Sequence, residues 1–284
     1  MPELPEVETI RLGLTDRIIG KKIISVDFDT AKSFQGKTED VVGSTISGVE
    51  RRAKLIQIKL SNNNNLLFHL KLTGQLIVID HSERFAGGHP SHDWHAELPN
   101  SNTRIVFELS DNVKLYFNDM RKFGWCKVLS PQAIEAIYEK DYGFEPLDKE
   151  FTVEYLLSKA KRIPNRNIKQ FLMDQTIAAG MGNIYTDEAL FEAGISPLRK
   201  IKDISVPEWQ KLIDSMCKVL NMGLKYGGTT DSDYVRADGT KGGMQDHLKV
   251  YHQTGKPCAN DCGGKVIRIT VGGRGTHYCS QCQN

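Results

Sequence analysis

The spacing of apolar residues changes twice along the chain, from the period of a helix to that of strands and back again. At the start, four residues spaced three or four apart mark one helix face: Val7, Ile10, Leu14 and Ile18. Pro5 suits the first turn of such a helix, and Gly20 follows its last apolar residue. The pattern therefore predicts an N-terminal helix that ends before Gly20.

From about residue 21 to 130 the pattern is that of short strands without intervening helices. Eight runs are predicted as strands: 22–28, 45–49, 55–60, 65–70, 75–79, 104–109, 113–117 and 125–129. Such a series is typical of an antiparallel sandwich or barrel. Residues 80–103 interrupt the series and are predicted to form an exposed loop.

The helical period returns after residue 130. Five helices are predicted: 131–140, 152–161, 168–179, 184–193 and 206–226. The Gly-, Thr- and Asp-rich stretch 227–243 is predicted to be a mobile loop. Three short strands are expected at 248–251, 265–271 and 276–278. The predicted fold class is therefore α+β, with an antiparallel β-sandwich followed by helices.

Composition excludes some classes of protein. No apolar run approaches the roughly 20 residues of a membrane-spanning helix. The first ten residues carry three acids and no base, so a secretory signal is not expected. The formal net charge is only +2, yet residues 199–284 hold 13 Lys and Arg against 8 Asp and Glu. Local basic segments suit a phosphate backbone, although a solvated helix face has the same composition.

Four of the six cysteines form two close pairs near the C-terminus. Three residues separate Cys258 from Cys262, and two separate Cys279 from Cys282. A hairpin between the pairs can bring four thiolates to one ion, which favours a structural Zn²⁺. Rubredoxin-type iron is the alternative, but the basic, glycine-rich stretch 272–275 favours a finger that binds nucleic acid. The other two cysteines, Cys126 and Cys217, are expected to be buried thiols.

Three histidines recur at intervals of three in the predicted loop: His89, His92 and His95. They are candidate metal ligands. Closed metal sites, however, need ligands on fixed elements, and a loop that contains Pro90 does not supply such a frame. A loop without a metal is therefore the favoured interpretation.

Recognisable motifs are spread over the whole chain. They are residues 1–9 (MPELPEVET), 51–54 (RRAK), 121–124 (RKFG), 182–185 (GNIY) and the terminal four-cysteine finger. Together they resemble the motifs of bacterial formamidopyrimidine-DNA glycosylases. The resemblance implies a β-sandwich domain, a helix-two-turn-helix module and a zinc finger, in an enzyme that removes oxidised purines from DNA.

The resemblance also implies which residues react. Once Met1 is removed, Pro2 would be a secondary amine, and α-amino groups have a pKa of roughly 7.7–8. Such an amine can attack C1′ of the damaged nucleotide. Glu3 is then implied to protonate the deoxyribose ring oxygen and Lys54 to contact the lesion and assist the first elimination. Arg274 is implied to clamp the flanking phosphates and assist the second elimination.

A base must leave the duplex before it can be excised, and the void must be filled. By resemblance, the side chains that fill it are Leu72, Arg121 and Phe123. The family usually has Met where this chain has Leu72, and leucine keeps the apolar character of the plug. We therefore expect an altered rate at this position and not a loss of function.

Further DNA contacts are implied for residues outside the reacting set. Lys169, Asn183 and Tyr251 match positions that contact phosphates, and Gly182 begins a helix whose free N–H groups suit an anion. Glu6 is implied to order water or the ribose. Asn102 stands where the family has a DNA-contacting histidine, and whether one of the three loop histidines replaces it stays open.

We therefore predict a bifunctional DNA glycosylase and AP lyase that contains one structural zinc. It would act as a cytoplasmic, nucleoid-associated monomer on duplex DNA that contains an oxidised base or an AP site, with no membrane partner. Four segments are predicted: a catalytic β-sandwich (1–130), a helical helix-two-turn-helix DNA-binding domain (131–227), a mobile lesion-recognition loop (228–247) and a zinc finger (248–284).

Two alternatives remain at this point. One is an endonuclease VIII-like glycosylase for oxidised pyrimidines, whose N-terminus usually reads Pro-Glu-Gly-Pro where this chain has Leu4. The other is a non-catalytic, zinc-dependent protein that binds damaged DNA.

Overall fold

The computed structural model describes residues 1–81, 83–89, 91–229 and 243–284, with His92 described only in its backbone. Most of the predicted loop 227–243 therefore lies outside the described residues. The chain forms two compact units. Unit 1 consists of Met1–Tyr138 with Tyr226–Gln245, and unit 2 of Glu139–Lys225 with Asp246–Asn284. The four predicted segments stay a prediction.

Within the described residues, unit 1 contains two five-stranded sheets, the first eight residues of a helix that begins at Pro131, and a long N-terminal helix. The long helix is α1 (Leu4–Ile18), and the strands are β1 (Ile23–Phe28), β2 (Phe34–Gln35), β3 (Ile46–Arg52), β4 (Leu55–Leu60), β5 (Asn65–His69), β6 (Gly74–Asp80), β7 (Glu83–Gly88), β8 (Thr103–Leu109), β9 (Lys114–Asp119) and β10 (Trp125–Leu129). The first sheet has the order β1-β8-β9-β6-β7 and the second β2-β10-β5-β4-β3. Neighbouring strands are antiparallel, except that β2 runs parallel to β10. The predicted antiparallel sandwich is confirmed.

The core of unit 1 is formed by apolar side chains from both sheets and from α1. Val7 and Leu14 of α1 belong to the same buried cluster as Phe68 and Phe107 of the two sheets. The rings of Phe68 and Phe107 meet edge to face at 6.1 Å. Burial of this helix face supplies most of the stability of α1, and it fixes the place of the residues that precede the helix.

Strand β7 lies where an exposed loop is predicted, so that prediction is wrong for residues 83–88. Phe85 is buried, and its ring occupies the space beside Gly13, where an added Cβ would come within 2.1 Å. The guanidinium of Arg17 lies 5.0 Å from the ring centroid. The strand has one large apolar residue among glycines and charges, so its pattern is weak. Phe85 is buried because it packs against α1, and this contact cannot be predicted from the residues of the strand alone.

The helices after the sandwich are α2 (Pro131–Asp141), α3 (Val153–Ala160), α4 (Ile168–Leu172), α5 (Asn183–Ala193) and α6 (Val206–Tyr226), and a hairpin of β11 (Val266–Val271) and β12 (Arg274–Cys279) follows. Helix α4 ends seven residues before the predicted end. The carboxylate of Asp174 accepts hydrogen bonds from the backbone and hydroxyl of Thr176, at 3.1 and 2.7 Å, and from Arg166 at 2.9 Å. Local bonds of this kind compete with the helical ladder.

The strand predicted at 248–251 is absent from this part of the described chain. Three consecutive backbone N–H groups, those of Lys249, Val250 and Tyr251, donate instead to the carboxylate of Glu188 at 2.8–2.9 Å. The buried carboxylate of Glu188 in α5 thus accepts the backbone hydrogen bonds that a neighbouring strand would otherwise accept. Within the described residues, no helix is long and apolar enough to cross a bilayer.

Candidate active site and DNA-binding residues

Pro2 and Glu3 are buried immediately before the first residue of α1. Glu3 is only 2% exposed and is the N-cap residue of the helix. Its backbone N–H donates to Glu6 Oε2 at 2.9 Å, which is half of a capping box. The cap prevents the helix start from fraying, so the predicted nucleophile and the predicted acid keep fixed positions.

Glu6 also binds the chain segment that follows α6. Its Oε1 accepts hydrogen bonds from the backbone N–H of Thr229 at 2.7 Å and from the Thr229 hydroxyl at 3.2 Å. The carboxylate therefore links the start of α1 to the residue that precedes the undescribed stretch 230–242. Its predicted role in ordering water or the ribose stays a prediction.

Lys54 lies in the turn between β3 and β4 and is 5% exposed. Ala53, before it, has a φ of +52°, a left-handed conformation that a turn must hold against strain. Arg51 donates to the carbonyl of Ala53 at 3.1 Å and to Glu8 of α1 at 3.0 Å. Burial opposes ionisation of Glu8, but Arg11 and Arg51 outweigh it and lower the pKa of this carboxyl. The ion pair thus ties the Lys54 turn to the helix that follows Pro2 and Glu3.

His69 is a further candidate for the active site, and it lies outside the motifs named above. It ends β5, and its Nδ1 accepts the backbone N–H of Lys71 at 3.0 Å, while its ring meets Trp125 edge to face at 5.8 Å. Burial, with smaller contributions from Lys71 and Lys54, lowers the pKa of His69 to about 3. The imidazole is therefore neutral at physiological pH and can donate through Nε2. Its signal in the sequence is its place three residues before Leu72.

The three predicted void-filling residues lie in two turns at the ends of paired strands. Leu72 is half-buried between β5 and β6, whereas Arg121 and Phe123 are exposed between β9 and β10. Phe123 is 46% exposed, so it is not a core residue. The Arg121 guanidinium lies 5.1 Å and the Lys32 ammonium 5.7 Å from the Phe123 ring centroid. An exposed aromatic ring beside two cations has the chemistry of a side chain that enters a duplex.

The predicted DNA contact at Asn102 is engaged within the protein. Its side-chain amide donates to Asp93 at 2.9 Å, and its backbone N–H donates to Asn100 at 2.9 Å. A direct contact with DNA stays a prediction. Among the described side chains, the four C-terminal cysteines are the group whose ligand atoms lie close enough to share a metal ion. The three loop histidines include His92, whose side chain lies outside the described residues.

The four cysteines fit one tetrahedral zinc ion. The Sγ atoms all lie within 4.8 Å of one another, with 3.6 Å between Cys258 and Cys282 and 3.5 Å between Cys262 and Cys279. Zn–S bonds of about 2.3 Å in tetrahedral array place sulfurs about 3.8 Å apart. Four thiolates leave no open position, so a zinc ion held there is structural and stabilises the hairpin.

The opposite end of that hairpin presents Arg274. Val271 pairs with Arg274, so Gly272 and Gly273 are the two central residues of a tight turn, with φ values of +56° and +76°. Both values favour glycine, as in the two-residue turns of β-hairpins. The Arg274 side chain is exposed at this tip, as its predicted phosphate contact requires.

Two further predicted phosphate-binding residues meet at the residue after Arg274. The ammonium of Lys169 donates to the carbonyl of Gly275 at 3.2 Å and to the Thr276 hydroxyl at 2.7 Å. The side-chain amide of Asn183 donates to the same Gly275 carbonyl at 2.9 Å. Helices α4 and α5 therefore hold the strand that begins with Arg274.

Lys169 does not present its charge to solvent. Its side chain is fully buried, and it forms an ion pair with the equally buried Asp187 at 2.7 Å. Lys169 therefore positions the fingertip, the hairpin tip formed by residues 272–274. A direct contact between Lys169 and phosphate stays a prediction. Tyr251, the remaining predicted contact, is half-buried and stacks on His252 with 4.3 Å between ring centroids.

Replacing Lys169 by Met is expected to lower the free energy of unfolding by about 3–5 kcal/mol, because the buried carboxylate of Asp187 loses its ammonium partner. Urea denaturation of the zinc-loaded protein measures this. Lys218→Met is the matched control, since Lys218 pairs with Glu192 on the surface and is 54% exposed. Loss of this surface ion pair is expected to lower the free energy of unfolding by less than about 1 kcal/mol. Similar costs for the two variants would contradict the structural role of Lys169.

Three family models match successive parts of the chain. They are the formamidopyrimidine-DNA glycosylase N-terminal domain at residues 1–126, the formamidopyrimidine-DNA glycosylase H2TH domain at 142–235, and a zinc finger found in FPG and IleRS at 255–284. The third match contains the four cysteines of the metal site.

Similar proteins and structures match over the full length. The formamidopyrimidine-DNA glycosylase of Carboxydothermus hydrogenoformans is 40% identical, with both chains covered completely, and that of an Exiguobacterium species is 37% identical over 100% of this chain and 99% of its own. A Lactococcus lactis FPG variant in complex with DNA containing Fapy-dG has a TM-score of 0.88 at 30% identity, over 100% of both chains. The L. lactis enzyme bound to AP-site DNA has a TM-score of 0.85 at 30% identity, over 99% of both chains.

The fold and the complete coverage at these identities agree with the motifs. The chain belongs to the formamidopyrimidine-DNA glycosylase family.

Proposed function

We propose that Pro2 is the nucleophile with which this base-excision-repair DNA glycosylase and AP lyase displaces an oxidised purine from duplex DNA. The observation that carries the proposal is the burial of Pro2, Glu3 and Lys54 in unit 1, at positions that match the family motifs. An amine, an acid and a second amine kept from bulk water are the groups that such a reaction needs.

The first step forms a bond between protein and sugar. After removal of Met1, the lone pair of the Pro2 nitrogen attacks C1′, and the C1′–N bond to the base breaks, with its electron pair leaving on the base. The Pro2 nitrogen then gives up its N–H proton while the departing base takes up a proton, so that a neutral tertiary amine joins protein and sugar. The ring then opens as the C1′–O4′ bond breaks, and Glu3 supplies the proton to O4′. The product is an iminium between Pro2 and C1′.

Two eliminations then cut the strand. The iminium acidifies the C2′ proton, whose removal expels the phosphate at C3′, a step that we assign to Lys54. Loss of the C4′ proton from the resulting conjugated iminium drives a second elimination, which expels the phosphate at C5′. Arg274 assists this step because a guanidinium binds phosphate oxygens in bidentate fashion. Water finally releases the sugar fragment from Pro2.

Five further site residues bind DNA in this proposal. Leu72, Arg121 and Phe123 fill the void left by the flipped nucleotide, while Tyr251 and Asn183 contact phosphates near the fingertip. The zinc ion supplies structure only. We further propose that the enzyme acts as a cytoplasmic, nucleoid-associated monomer.

Borohydride trapping tests this function. A protein whose N-terminal residue is verified as proline is mixed with a duplex that contains 8-oxoguanine, and the reductant converts the iminium to a stable amine. We expect a covalent protein–DNA adduct, with none on the matched undamaged duplex. Absence of the adduct would support the non-catalytic binder instead. A duplex with an oxidised pyrimidine, run in parallel, tests the endonuclease VIII-like alternative.

A further inference from the structure

One buried carboxylate holds both turns that carry the void-filling side chains. Asp119 is the last residue of β9 and is 1% exposed. Its Oδ2 accepts the backbone N–H groups of Phe123 at 2.8 Å and Gly124 at 2.7 Å. Its Oδ1 accepts the backbone N–H of Arg121 at 3.2 Å and the hydroxyl of Thr73. Three of these donors belong to the β9–β10 turn, and the fourth follows Leu72 in the β5–β6 turn.

Thr73 closes the link between the two turns. While its hydroxyl donates to Asp119, the same oxygen accepts the backbone N–H of Arg121 at 3.0 Å. Gly74, the next residue, is the register partner of Asp119 in the sheet. The turn with Leu72 and the turn with Arg121 are therefore joined by side-chain hydrogen bonds as well as by strand pairing.

The backbone of Asp119 is itself fixed. Its N–H donates to the carbonyl of Asn102 at 2.9 Å, and its carbonyl accepts from the guanidinium of Arg104 at 2.8 Å. Arg104 is buried and also pairs with Asp29 at 3.1 Å. The carboxylate of Asp119 therefore extends from a strand end whose backbone N–H and carbonyl are both hydrogen-bonded.

The β9–β10 turn needs such support. Lys122 has a φ of +57°, a left-handed conformation that is unfavourable for lysine, and Arg121, Lys122 and Phe123 are all exposed. Burial therefore contributes little to the order of these three residues. Hydrogen bonds between a buried carboxylate and backbone N–H groups are among the stronger ones in proteins.

We propose that Asp119 is a positioning residue that presents Leu72, Arg121 and Phe123 to the duplex as one preorganised wedge. The inference rests on the proposed function, which assigns void filling to these three side chains. Unstacking a base step costs free energy, and a turn that is already ordered does not pay a further entropy cost on insertion. Loss of the carboxylate is therefore expected to impair insertion of the wedge more than the chemistry at Pro2.

Asp119→Asn and Thr73→Val test the proposal. Asparagine keeps the size of the side chain but turns an NH₂ group toward backbone N–H donors, and valine removes the bridging hydroxyl. The substrate is a duplex with 8-oxoguanine and with 2-aminopurine beside the orphaned base, whose fluorescence rises on unstacking. For both variants we expect the fluorescence change to be reduced and the single-turnover excision rate to fall roughly 10- to 100-fold, as loss of a hydrogen bond to a charged group implies.

Controls separate positioning from folding and from failure of the proposed chemistry. Thr73→Ser keeps the hydroxyl and is expected to restore both signals, and Asp27→Asn, at an exposed residue of β1, is expected to behave as wild type. An AP site in single-stranded DNA has no opposite base, so borohydride trapping there reports Pro2 alone and is expected to change by less than about threefold. Wild-type fluorescence and excision in Asp119→Asn would overturn the proposal, as would an equal loss of single-strand trapping. Absence of trapping by wild type would instead overturn the proposed function.

Discussion

A chain with a blocked N-terminus is expected to lose strand cleavage at least roughly 1,000-fold, the scale on which removal of a catalytic nucleophile acts, while it still binds damaged duplex DNA. Retention of Met1, or a tag before it, leaves the Pro2 nitrogen as an amide whose lone pair is delocalised. An amide nitrogen does not attack C1′, so neither the iminium nor the eliminations that depend on it can form. The DNA contacts proposed for Arg274 and for the turns that carry Leu72, Arg121 and Phe123 do not involve this nitrogen.

The experiment uses one tagged chain before and after the tag is removed. A protease site placed so that cleavage exposes Pro2 makes the two samples identical elsewhere, and mass spectrometry verifies each N-terminus. Cleavage of an 8-oxoguanine duplex is measured at saturating protein, and affinity is measured on a duplex with an uncleavable abasic analogue. We expect cleavage to appear only after tag removal, with affinity changed by less than about threefold. Full cleavage by the tagged chain would exclude Pro2 as the nucleophile.

Removal of zinc is expected to weaken binding of duplex DNA roughly 10- to 100-fold, since the finger folds around its metal. The apolar cluster beneath it is small and itself contains two of the ligands, Cys258 and Cys279, with Val250, Val266 and Phe191. Without the metal, this cluster does not compensate for the entropy of ordering the hairpin. The tip that presents Arg274 then loses its fixed position, and the proposed phosphate contact of Arg274 is lost with it.

Cys262→Ser removes one zinc ligand, and Cys217→Ser is its matched control. The Cys217 thiol donates to the carbonyl of Pro146 at 3.1 Å and lies outside the metal group, so its replacement is expected to leave zinc content and affinity unchanged. Zinc content is measured by atomic absorption and affinity by fluorescence anisotropy on the uncleavable abasic duplex. Metal-free Cys262→Ser protein with wild-type affinity would show that the finger has no part in DNA binding.

Local patterns predict most elements of this fold. Strands β4 and β10 and helix α6 have the predicted bounds, because their apolar residues alternate or recur without interruption. The failures have tertiary causes. Strand β7 is stabilised by the packing of Phe85 beside Gly13, and the expected strand at 248–251 is replaced by bonds to Glu188.

The candidate site divides in a similar way. The residues proposed to react lie in short motifs, so the resemblance points to each of them separately. What these motifs do not contain is the set of groups that hold them. Glu8 reaches the Lys54 turn through Arg51, which is 43 residues away in the chain, and Asp119 reaches Thr73 across 46 residues.

By itself, the sequence determined the class of the protein and the four cysteines of the metal site, and it supplied the proposal that Pro2 is the nucleophile, because each depends on residue types at short, fixed spacing. Only the tertiary structure decided that Lys169 is buried against Asp187, that Asn183 holds the strand of Arg274, and that Asp119 joins two turns. Strand order and burial bring these residues together from distant parts of the chain. A hydrogen bond between such residues depends on where the backbone has folded, and local spacing carries no record of it.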